Sequence, residues 1–99
     1  MPTYVLLGHW TDQGVRTIDD LPRRLETAKR DLAEMGGQFR HILMTLGEYD
    51  LVAIYDAPDD AVAARFLLML SRAGNIRTTS MKAFPEEAFR QIVQSLGKA

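Results

Sequence analysis

The chain has 99 residues, 46% hydrophobic and 25% charged, a balance typical of a folded soluble protein, and its length predicts a single domain over residues 1–99. Lys and Arg number 12 against 13 Asp and Glu, and the resulting net charge of -1 argues against a nucleic-acid partner, because nucleic-acid binding requires a basic surface. The chain has no cysteine, which excludes disulfides, thiolate catalysis and cysteine-based metal sites.

The first part of the chain predicts a strand, a loop and a helix. Residues 4–10 are apolar and β-prone, which predicts the strand, and the polar residues 11–20 predict the loop. From Leu21 onward, apolar residues recur every three or four positions, which is one face of an amphipathic helix. The pair Gly36-Gly37 is a typical end signal for that helix.

The rest of the chain predicts three more strands and two more helices. A hairpin supplies two of the strands, residues 39–46 and 51–56, around a turn at residues 47–50. The remaining predicted elements, in chain order, are a helix from Pro58, a strand over residues 76–84 and a short helix from Pro85.

This order of elements, β-α-β-β-α-β plus a C-terminal helix, is the split βαβ arrangement of ferredoxin-like α+β domains. Right-handed crossovers predict a four-stranded antiparallel sheet in the order 4-1-3-2, with the two long helices on one face. The other face is also predicted to be apolar, for example at Val5 and Val52. Either a second copy covers it, sheet to sheet, in a dimeric α/β barrel, or the C-terminal helix with Phe89 and Ile92 folds back over it.

Three polar segments are predicted to meet at one end of this sheet: residues 11–16, the turn at 47–50 and residues 75–79. Loops that gather at one end of a rigid sheet commonly form binding sites. The candidate ligand-binding residues from these segments are Thr11, Gln13, Arg16, Tyr49, Asp50, Arg77 and Thr79.

Several of these candidates also have a structural interpretation. Arg77 and Thr79 suit an anionic group, but Thr favours strands in any case and Arg77 would pair with Asp12 or Asp50. Tyr49 and Asp50 either contact a ligand or hold the turn, with Asp50 bonded to backbone groups and Tyr49 packed on the next subunit.

The candidates for proton transfer in catalysis are His9, predicted near the same end of the sheet, and Tyr49. A lone His on a strand is more often structural, which applies equally to His41 on the second strand. Metal-ligand spacings, phosphate loops and dinucleotide motifs do not occur, so neither a metal nor a cofactor is expected. The N-terminus lacks a signal-peptide pattern and no apolar run is long enough to span a bilayer, which favours a cytoplasmic protein without a membrane partner.

Segments spread along nearly the whole chain together resemble a known family. They are Met1-Pro2-Thr3-Tyr4-Val5, Trp10-Thr11-Asp12-Gln13-Gly14, Gly47 to Ile54, Ala57-Pro58-Asp59-Asp60 and Ile76-Arg77-Thr78-Thr79. The turn carries a Gly-Tyr-Asp signature interrupted by Glu48, and the set resembles the GYD domain family. The resemblance implies a small bacterial protein of the dimeric α/β barrel kind and supplies no catalytic residues. The same turn resembles one in the effector-binding domains of Lrp/AsnC-type regulators, which share the element order and bind small molecules between subunits.

Three functional hypotheses follow from the sequence. The first is a non-catalytic homodimer or higher homo-oligomer that binds a small anionic or amphipathic molecule in a regulatory or sensing role. The second is a cofactor-independent monooxygenase or isomerase of the dimeric α/β barrel type. The third is a purely structural assembly module.

Overall fold

The computed structural model describes residues 1–97, in which two long helices cover one face of a four-stranded antiparallel sheet. The strands are β1 (Thr3–Trp10), β2 (Gln38–Met44), β3 (Leu51–Asp56) and β4 (Ile76–Ala83). The helices are α1 (Asp12–Arg16), α2 (Leu21–Glu34), α3 (Asp60–Arg72) and α4 (Glu86–Gln94), with a 3₁₀ turn at Ile18–Asp20. The strand order β2-β3-β1-β4 is the predicted order read from the other edge, which confirms the ferredoxin-like α+β fold. Within residues 1–97, no helix has both the length and the apolarity needed to cross a bilayer.

Residues 11–20 were predicted as a loop, and this prediction is wrong because they form α1 and the 3₁₀ turn. Thr11 caps α1, since its Oγ1 accepts a hydrogen bond from the Gly14 N–H at 3.0 Å. The helix ends where the Thr17 N–H donates to the Gln13 carbonyl at 3.1 Å. A helix this short and polar has no repeating apolar face, so periodicity gives no signal for it.

A bulge in β2 changes which side chains share a face. The pairing of β2 with β3 shifts between Phe39 and His41, so that Arg40 is the extra residue. Phe39 and Ile42 consequently both point toward the helices and contact the core, whereas Leu43 lies on the opposite face. Regular alternation along the strand would instead place Phe39 and Leu43 on the same face, which the bulge prevents.

The core lies between the sheet and the two long helices. Tyr55 and Phe66 are both 0% exposed, and their rings pack edge to face with centroids 5.6 Å apart. Tyr4 stacks on Tyr55 at 5.3 Å and donates its hydroxyl to the Asp60 carboxylate at 2.6 Å. Burial, together with this hydrogen bond, raises the pKa of the Tyr4 phenol. The hydrogen bond between Tyr4 and Asp60 ties β1, one of the two inner strands, to the first turn of α3.

The C-terminal helix α4 does not cover the sheet. Its apolar residues Phe89, Ile92 and Val93 are 57%, 45% and 50% exposed. The sheet face opposite the long helices is therefore left without α4 as a lid.

Candidate functional site

The sheet has an open face on the side opposite the two long helices. Its residues alternate along each strand with the core residues, and they pair across the sheet with one another and not with core residues. They include Val5, Leu7, His9, His41, Leu43, Val52, Ile54, Arg77, Thr79 and Met81. Leu43 is 53% exposed and Met81 is 49% exposed, at opposite edges of the sheet. An apolar strip therefore crosses the strands and is accessible to solvent in a single copy.

One end of the open face carries an aromatic pair next to a cation. The rings of His9 and Tyr49 lie with their centroids 4.8 Å apart at an angle of 36°. Arg77 is exposed and sits directly opposite His9 in the β1–β4 register, and Thr79 follows on the same face. The structure therefore brings Tyr49, from the connection between β2 and β3, to the same end of the sheet as Arg77 and Thr79 of β4.

Asp50 anchors the hairpin connection to the end of β1. Its carboxylate accepts a hydrogen bond from the Trp10 backbone N–H at 2.9 Å, and its N–H donates to the Gly8 carbonyl at 2.9 Å. Within the connection, the Thr45 hydroxyl donates to the Tyr49 carbonyl at 2.5 Å. These bonds hold the backbone that places Tyr49 beside the end of β1.

The candidates near α1 have partners within the chain. The Thr11 hydroxyl donates to the Gly74 carbonyl at 2.6 Å, and the Gln13 amide donates to Asn75 Oδ1 at 3.0 Å. Both bonds attach α1 to the connection between α3 and β4. Arg16 is exposed at the end of α1. These residues lie at the same end of the sheet as the aromatic pair, but two of them have polar groups that are already bonded.

A buried carboxylate, Asp56, was missed by the sequence reasoning. It is 1% exposed and accepts hydrogen bonds from Thr3 Oγ1 at 2.8 Å, Arg40 Nε at 2.7 Å and Gln38 Nε2 at 3.4 Å. Burial by itself raises the pKa of this carboxyl, but the three hydrogen bonds and the charge of Arg40 outweigh it and hold the pKa below its usual value. The only signal in the sequence is an acid that ends an apolar strand.

Comparison with known proteins places the chain in a family. The family model described as the GYD domain matches residues 4–93. A Thermus thermophilus protein named "Glutamine synthetase and cystathionine beta-lyase binding protein" is 33% identical over 86 residues, covering 86% of this chain and 90% of that protein. A solved structure described as "crystal structure of FFRP-DM1" matches with a TM-score of 0.55 and 20% identity, over 85% of this chain and 100% of that one. The last likeness shows the fold alone.

Proposed function

Because the chain belongs to the GYD domain family, we propose that it is a non-catalytic regulatory protein of the cytoplasm that binds other proteins as an assembly of identical copies. The observation that carries the proposal is the open face, an apolar strip that neither the long helices nor α4 covers. Exposed apolar patches of this kind mark interaction sites in globular proteins.

A second copy is the occupant that the open face suits best. Two copies related by a two-fold axis would place the same strip on both sides of the interface, so each apolar residue would meet apolar residues. Sheets packed in this way bury a core of interleaved side chains about 10 Å thick. The dimeric α/β barrel predicted from the sequence has this arrangement.

Replacement of Leu43 by Glu is expected to convert the assembly into monomers. The variant places a carboxylate inside the proposed interface, where burying an unpaired charge is strongly unfavourable. Leu43 is 53% exposed in a single copy, so the fold itself should tolerate the change. Size-exclusion chromatography with light scattering measures the mass of each species.

The matched control is Leu68→Glu, since Leu68 is 70% exposed on α3, away from the open face. The control should keep the mass of the wild-type assembly. A wild-type protein with the mass of one chain at a concentration of about 50 µM, where weak assemblies still form, would contradict the proposal.

Binding to enzymes is the second expected outcome. The name of the Thermus thermophilus relative supports protein partners for this chain. We therefore expect glutamine synthetase and cystathionine β-lyase from the organism that produces this chain to bind the wild-type chain saturably. Biolayer interferometry should give dissociation constants of about 10 µM or tighter, the range of transient regulatory contacts. An unrelated enzyme of similar size and charge serves as control. If neither enzyme binds at about 100 µM, protein binding of this kind is excluded.

A second candidate function is the binding of a small anionic or amphipathic molecule at the end of the open face that carries the aromatic pair. The observation that favours it is the position of Arg77 and Thr79, which offer exposed donors beside Tyr49. Thr11 and Asp50 would support such a site indirectly, because their side chains already bond to the chain itself.

A further inference from the structure

A cavity of about 390 Å³ lies between the helices and the sheet, on the side of the sheet away from the open face. Leu6 and Ile42 contribute to its floor, and Leu25 of α2 and Leu70 of α3 contribute to its walls. Pockets that hold small ligands have volumes of about 300–1,000 Å³, whereas close-packed interiors leave few voids larger than a water molecule. The cavity therefore has the size of a ligand site and not of a packing defect.

The cavity exists because the two long helices close over only part of the sheet. At the C-terminal half of α2, Leu32 is 0% exposed and Ala63 of α3 is 4% exposed, so the core there is filled. Nearer the N-terminus of α2, Ala28 of that helix and Ala53 of β3 line the cavity, and their small side chains leave its space unfilled. A pocket lined mainly by apolar side chains favours an apolar ligand body.

The charged groups in the cavity lining are mainly cationic. Arg24 donates through Nη2 to the carbonyls of Gly14 at 3.3 Å and Thr17 at 2.9 Å. Its Nε and Nη1 are buried and have no hydrogen-bond partner among residues 1–97. Two further arginines, Arg23 and Arg72, line the cavity, whereas Asp31 is the single carboxylate in the lining. Buried donors without an acceptor are unfavourable, and a guanidinium matches a carboxylate in a two-pronged geometry.

We propose that this cavity binds a small apolar monocarboxylate, such as a medium-chain fatty acid. Its carboxylate accepts hydrogen bonds from Arg24, and its hydrocarbon chain lies against Leu6, Ile42 and Phe66. The apolar lining selects the hydrocarbon chain, and the excess of arginines selects an anionic over a neutral or cationic head group. The cavity does not depend on the proposed assembly, because the sheet separates it from the open face.

The single tryptophan of the chain, Trp10, lines the cavity and reports on its occupancy. We expect decanoate, kept below its micelle concentration, to change the Trp10 fluorescence saturably in the full chain. Decanol and decylamine have the same hydrocarbon chain with a neutral or cationic head group, and each should bind about tenfold more weakly or worse. Equal affinities for decanoate and decanol would overturn the role of the carboxylate.

Two substitutions locate the binding. Ala28→Phe fills the cavity and should abolish the fluorescence response to decanoate while circular dichroism shows the helices intact. Arg24→Gln should weaken decanoate binding about tenfold, and the matched control Arg30→Gln should change it less than about twofold. Arg30 suits this control because it is exposed on the same helix and does not line the cavity.

Some outcomes would overturn the proposal directly. They are an unchanged Trp10 signal with millimolar decanoate, or wild-type affinity in a folded Ala28→Phe variant. Where a variant fails to fold, the comparison of decanoate with decanol on the wild-type chain is sufficient to test the proposal, because equal affinities would overturn it.

Discussion

Gly14→Ala is expected to lower the free energy of unfolding by about 3 kcal/mol, at the upper end of the range for overpacking. A Cβ at this position would lie 2.1 Å from the Asn75 carbonyl oxygen, which belongs to the backbone and not to a flexible side chain. To make room, α1 would have to move and lengthen the hydrogen bonds that Thr11 and Gln13 make to the neighbouring connection.

Urea denaturation followed by circular dichroism measures this loss. Val15→Ala is the control on the same helix, since Val15 is 56% exposed, and it should change the unfolding free energy by less than about 0.5 kcal/mol. A Gly14→Ala variant as stable as the control would show that α1 does not pack this closely on Asn75.

The stabilising contribution of Asp56 is expected to disappear in acid. Burial alone raises the pKa of its carboxyl, but the hydrogen bonds from Thr3, Arg40 and Gln38 outweigh burial, so the folded-state pKa lies below the unfolded value of about 3.9. A group of this kind stabilises the fold fully above its unfolded pKa, and the contribution is lost as the pH falls through the folded pKa.

Asp56→Asn isolates the charge of this carboxylate. At pH 7 the variant should lose about 2 kcal/mol of unfolding free energy, the scale of hydrogen bonds to a charged group, since Asp56 is 1% exposed. The difference from wild type should shrink as the pH falls below the unfolded pKa of about 3.9 and through the lower folded-state pKa. Thermal or urea unfolding at a series of pH values tests this, with the exposed Asp19→Asn as control. A loss that stays constant between pH 7 and pH 2 would assign the effect to shape instead of charge.

Most of the fold was predictable because its signals are local. The strand over residues 51–56 is an apolar run between turn signals, and α2 and α3 have clear helical periodicity with glycine end signals. The strand order followed from the element order and from crossover handedness. In contrast, α1 is held by contacts of Thr11 and Gln13 to a distant connection, which periodicity does not detect.

For the candidate site, the sequence predicted only which segments of the chain lie at the same end of the sheet. Topology placed Tyr49, Arg77 and Thr79 at one end of the sheet, because strand directions determine which loops meet. The partners of Asp56 were not predictable, since Arg40 is the extra residue of a bulge that appears only when two strands pair. The cavity behind Arg24 was also hidden, because its volume depends on how two helices sit on the sheet.

The bulge at Arg40 limits how β2 can change in length during evolution or engineering. Side chains in a strand alternate, so deletion of a residue elsewhere in β2 would exchange the two faces for the segment on one side of the deletion, whereas deletion of Arg40 itself would restore regular pairing and keep both faces. With Arg40 deleted, Phe39 and Ile42 would both stay on the core face, but Asp56 would lose its guanidinium partner. A single-residue deletion in β2 therefore preserves the two faces only at the bulge, whereas a change of length in the connection at residues 45–50 leaves the alternation within the strands unchanged.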